Sequence, residues 1–85
     1  MLADFALEPD RLAPHPKQLL LLVRAMQLAR TDFNQAKKLV ESAKAAWPQA
    51  RTYSGGKRWI NDAVQQVAQR AGGPLAWVWA KSNSV

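Results

Sequence analysis

Arg51-Thr52-Tyr53-Ser54-Gly55-Gly56-Lys57-Arg58-Trp59 sets two glycines between basic and aromatic residues, and its reading decides how the second half of the chain folds. Beyond it, Trp59, Ile60, Ala63, Val64, Val67, Ala68 and Ala71 recur at the three- and four-residue steps of a helix face. If Ser54 or Gly55 opens that helix, the stretch is a donor-rich, positively charged loop at a helix N-terminus, where free N–H groups and the helix dipole favour an anion. The alternative makes Gly55-Gly56 a two-residue hairpin turn joining 51–54 to 57–60, with the helix starting at Asn61 or Asp62 and the loop becoming a basic wing. The helical reading is favoured, because Trp59 and Ile60 already belong to the apolar stripe.

Working back towards the N-terminus, Phe33, Ala36, Leu39, Val40, Ala43, Ala46 and Trp47 share one face of a helix expected over 33–47. Asp32 followed by Gln35 resembles a capping box at its start, and Pro48 ends it. Before it, the wide apolar arc of Leu19, Leu20, Leu22, Val23, Ala25, Met26, Leu28 and Ala29 predicts a buried helix near 17–30, opened by Pro16. Leu22, Met26, Leu39 and Val67 are expected to be core. One or two residues separate these helices, so they turn sharply, as in a helical hairpin or a helix-turn-helix. Residues 9–16 hold three prolines and read as an extended connector, with His15 exposed between two of them. Phe5 is expected to anchor residues 1–8 to the body.

Working forward, Gly72-Gly73-Pro74 reads as a helix stop. The alternation of Leu75, Trp77 and Trp79 predicts a short strand or extended segment at 75–80, for which only 2–8 or 50–54 could be partners. The expected fold is therefore a small, mainly α, three-helix domain with a short C-terminal strand or extended segment. A single domain spans 1–85, with an acidic then proline-rich arm over 1–16 and a helical body over 17–81.

Charge is the most informative bulk property. The formal net charge is +6, but residues 1–10 carry −3 from Asp4, Glu8 and Asp10. Residues 11–85 set twelve Lys or Arg against Asp32, Glu41 and Asp62, giving 12 − 3 = +9. A body at +9 attracts polyanions, whether nucleic acid or an acidic protein. No cysteine is present, which excludes disulfides and thiolate metal sites and is compatible with a cytoplasmic location. The acids at Asp4 and Glu8 do not suit a signal peptide, and the apolar run 19–23 is too short to insert in a membrane. One histidine and scattered carboxylates leave no catalytic constellation, so no enzyme, cofactor or metal is expected.

Two groups could bind nucleic acid, DNA in preference to RNA. In the first, Lys37, Lys38 and Lys44 would meet phosphates while Asn34 and Gln35 read base edges. The competing reading is a solvated helix face, with Glu41 paired to Lys37 or Lys44. In the second, Arg51, Tyr53, Lys57 and Arg58, with Trp59, would combine phosphate contact with stacking on unpaired bases, unless the aromatics are core. The alternative function is a non-enzymatic adaptor or inhibitor that docks on an acidic protein partner through the same basic faces or through an exposed strip of Leu75, Trp77 and Trp79, a strip that could also mark a homodimer.

Overall fold

The computed structural model describes residues 13–52 and 55–85, apart from the side chains of Arg51 and Gly56. Four α-helices account for most of them: α1 (Pro14–Leu28), α2 (Phe33–Ala46), α3 (Gly56–Ala71) and α4 (Pro74–Asn83). A 3-10 turn, Pro48–Arg51, joins α2 to the glycine loop. No strand occurs among the described residues, and no helix among them is long and apolar enough to cross a membrane. The anchoring role expected for Phe5 lies outside them.

The first helix begins earlier than its proline content suggests. Ala13 is the N-cap and Pro14 the first helical residue, and the first helix bond runs from Lys17 N–H to the Ala13 carbonyl at 2.9 Å. Pro14 and Pro16 both lie in the first turn, where a backbone N–H has no helical partner to lose. Pro14–Pro16 are thus helix, not extended connector. At the other end, Thr31 and Asp32 N–H groups both return to the Leu28 carbonyl, at 3.1 and 2.7 Å, and close α1. Asp32 then caps α2, its carboxylate accepting from Gln35 N–H at 3.1 Å.

The connection is an antiparallel hairpin, which settles the choice left by the sequence. Gln18, near the start of α1, donates to the carbonyls of Ala43 and Trp47 at the end of α2. The two helices therefore lie alongside one another over their length. The third helix starts at that same end, where the Trp59 indole N–H reaches the Gln18 amide oxygen at 2.8 Å. It finishes beside the end of α1, where the Arg70 guanidinium contacts the Met26 carbonyl at 3.4 Å. So α3 runs parallel to α1 and antiparallel to α2. Gly56–Ile60 are helical, which removes the hairpin-and-wing alternative.

The strand expected at 75–80 is instead α4. Gly72 and Gly73 take positive φ values of 77° and 89°, reversing the chain, and Pro74 then opens a helix rather than only ending one. Ala76 and Ala80 are buried, with Trp79 between them half-buried against the core, a three- and four-residue stripe that outweighs the alternation of Leu75, Trp77 and Trp79. This helix packs back on α3, and Asn61 holds Val85 by a reciprocal pair of hydrogen bonds at 3.1 and 2.8 Å.

Alanine dominates the interior: among the described residues nine of fifteen buried apolar ones are Ala, including Ala25, Ala36, Ala43 and Ala68. Short side chains let the helix axes approach closely, while Leu21, Leu22, Val40, Ile60, Val64 and Val67 fill the remaining space. Of the four residues expected in the core, Leu22 and Val67 are buried, while Met26 and Leu39 pack on its edge.

Candidate nucleic-acid interface

Of the two sequence-predicted groups, Asn34, Gln35, Lys37 and Lys38 lie at one end of the bundle and Lys57 and Arg58 at the other. Lys57 and Arg58 stand in the first turn of α3, at the end where α1 starts and α2 finishes. Asn34, Gln35, Lys37 and Lys38 stand in the first turns of α2, while its other end is at Ala46. At 1.5 Å per residue, the separation along α2 is roughly 18 Å. One small anion cannot touch both groups.

The α3 start has an unusual electrostatic composition. Its N-cap, Gly55, holds a left-handed conformation with φ of 93°, and the first-turn N–H groups have no side-chain cap among the described residues. No acidic residue lies in that turn, and Lys57 is exposed there with Arg58 beside it. Cations at the positive end of a helix dipole are unfavourable by about 0.3–1 kcal/mol each. An anion seated there reverses the sign, meeting two cations and several N–H donors together. The side chain of Arg51, and Tyr53 altogether, fall outside the described residues.

The α2 group is less available than its composition implies. Lys44 donates to the Asn83 carbonyl at 2.6 Å and lies 3.4 Å from the Asn83 amide oxygen, at the C-terminal end of α4. Its charge thus serves the negative end of that helix. Lys37 sits 4.9 Å from the Phe33 ring centroid, a cation–π contact. Asn34, Gln35 and Lys38 are exposed, and Gln35 contributes its backbone N–H to the cap; Lys37 is exposed in part.

Beside the α3 start lies a cluster that the sequence alone does not disclose. His15 stacks on Trp47, with ring centroids 4.7 Å apart, and on Trp59 at 4.8 Å; the two indoles are 5.7 Å apart and nearly parallel. His15 is therefore half-buried against both indoles, not exposed in a connector. Beneath it Gln18, fully buried, accepts from Trp59 and donates to the Ala43 and Trp47 carbonyls at the end of α2, the second of which also accepts from the Ala50 N–H. The sequence does hold a signal for Gln18: it precedes Leu21, Leu22 and Ala25 at helical spacing, a polar residue in a core slot.

The expected Trp77 and Trp79 strip divides. Trp79 turns inward and meets Phe33 edge-on, with centroids 5.5 Å apart, whereas Trp77 remains 49% exposed. Its exposed companions are Leu75 at 82% and Val78 at 63%. Helical rather than strand geometry makes this division, since residues two apart on a helix do not share a face.

Among the described residues, no three of His, Cys, Asp and Glu lie close enough to hold a metal ion. Comparison of the chain with protein-family models, with curated proteins and with solved structures finds no match.

Proposed function

We propose that this is a small, non-enzymatic nucleic-acid-binding protein, directed at DNA in preference to RNA, which holds phosphates at the start of α3. The observation that carries the reading is the first turn of α3: a glycine cap, N–H groups without a described side-chain cap, no acid, and the basic pair Lys57 and Arg58. The charge of the body, +9 over residues 11–85, supplies the long-range attraction such a site needs. A regulatory role in a DNA transaction suits a chain of this size with no catalytic constellation. Lys57→Ala combined with Arg58→Ala should weaken binding about equally across sequences. It should also lower the slope of log affinity against log salt by roughly one to two units. An unchanged slope would remove the α3 start from the interface.

A second reading rests on α4. Leu75 and Val78, one helical turn apart, form an exposed apolar surface with Trp77 beside Val78, so an adaptor or inhibitor working through this part of α4 is the competing function. Binding of that kind would change little with salt and would fall on Trp77→Ala, whereas phosphate binding would ignore that substitution.

A further inference from the structure

A continuous groove runs between α1 and α3. These helices are parallel, and one wall comes from α1 and the turn after it, with Leu19, Val23, Met26 and Arg30, the other from α3, with Trp59, Gln66 and Arg70. Two depressions share Met26 and Gln66 and so form one channel. The section nearer the start of α3 is apolar and encloses about 210 Å³, with Leu19, Val23 and Trp59 in its walls and Asp62 at its edge. The far section is polar and wider, about 660 Å³, and is walled by Arg30, Arg70 and the amides of Gln27, Gln66 and Gln69. Leu19 and Val23 are 38% and 44% exposed, apolar surface that water meets directly.

We infer that this groove binds a single strand of nucleic acid, an assignment that rests on the phosphate site proposed at the start of α3. Cations lie at both ends of α3: Lys57 and Arg58 in its first turn, beyond the near section and outside its lining, and Arg30 with Arg70 in the walls of the far section. Twelve residues of helix separate Arg58 from Arg70, roughly 18 Å. Between them lies apolar and aromatic wall, against which unpaired bases stack, followed by amides that read base edges. A duplex keeps its base faces covered and has no use for the apolar section. Asp62 separates this ligand from an acidic peptide, which also seeks cations and apolar wall. A carboxylate at the groove edge repels acidic side chains but accepts hydrogen bonds from the exocyclic amino group of cytosine.

The test is salt-titrated binding of the full chain to octamers of deoxycytidine and of thymidine, and to a duplex of the same length. The parent should bind single strands more tightly than duplex, and deoxycytidine more tightly than thymidine. Arg30→Gln with Arg70→Gln should lower the salt slope for single strands by about 1.4, near 0.7 for each lost phosphate contact. Arg30→Gln alone should lower it by about 0.7, and this variant leaves the Arg70 bond to Met26 intact. Asp62→Ala should abolish the preference for deoxycytidine over thymidine. If the parent binds nucleic acid but both arginine variants keep the parental slope, or if duplex binds as tightly as single strand, the groove assignment is overturned while the α3 site stands. If the parent binds none of the three, the proposed function itself fails.

Discussion

Trp47 and Trp59 occupy one end of the bundle in an arrangement that Trp77 and Trp79 do not share. The first two are stacked with His15, and Trp59 is tied by its indole N–H to a buried glutamine. The other two belong to α4, where one ring meets Phe33 and the other faces water. All four are large and apolar, and composition ranks them equally. What separates them is the register of each helix against its partner: Trp59 falls on the α3 stripe that meets α1, while Trp77 falls two residues from Trp79 on α4 and so off its inward face. The amide of Gln18 adds direction to the first site, and the water-facing ring of Trp77 has no such anchor among the described residues. An aromatic residue is thus fixed in place where a neighbour satisfies its polar edge and contributes little to stability where none does.

The largest effect that could break this contrast is at Trp59. Trp59→Ala should lower unfolding free energy by about 3 kcal/mol, through lost stacking, packing and hydrogen bonding. Chemical denaturation with circular dichroism checks it, and a loss below that of Trp77→Ala would reverse the roles of the two rings. Gln18→Leu comes next. It removes a partner from the Trp59 N–H and from two carbonyls, and should cost about 1–3 kcal/mol despite adding apolar volume. The fluorescence of the stacked indoles should shift in the same variant. Lys44→Met keeps the apolar stem but strips the charge from the end of α4, for a loss of about 1 kcal/mol. Faster amide exchange confined to residues 80–85 would locate that loss. Smallest in stability is Trp77→Ala, within about 0.5 kcal/mol of the parent. Its signature is optical: a neutral aqueous quencher should lose most of its effect once Trp77 is gone. Persistence of that effect would mean that another indole is the exposed one.

Several parts of this architecture are legible in the sequence, each with a local cause. The α2 helix is written in its apolar stripe and in Asp32 and Gln35, and α3 in its stripe alone, because helical periodicity is a property of neighbouring residues. The α4 helix reads as a strand because Leu75-Ala76-Trp77-Val78-Trp79-Ala80 is apolar throughout, so both periods fit it. The packing of Ala76, Trp79 and Ala80 against the core decides between them, and that is a tertiary fact. His15 reads as exposed because prolines on each side suggest an open chain, whereas a first helical turn tolerates both. Lys57 and Arg58 are legible as a basic pair at a helix start. The engagement of Lys44 is invisible to local pattern, since its partner Asn83 lies thirty-nine residues away. The α1–α3 groove is equally hidden, because it depends on two helices running parallel at matched heights.

Gln18 has a consequence for uniqueness more than for strength. Helices that meet through alanines present smooth surfaces, and sliding one past another by a turn changes little in apolar area. A core of that kind admits several nearly equivalent registers. With Gln18 among the alanines, a one-turn slip of α1 along α2 would carry its amide away from the Ala43 and Trp47 carbonyls and from the Trp59 indole, leaving polar atoms buried without partners. Competing arrangements are thereby raised in energy, while the native one is stabilised only modestly. A single amide acts as the locating pin of the bundle, and it keeps the walls of the groove at matched heights.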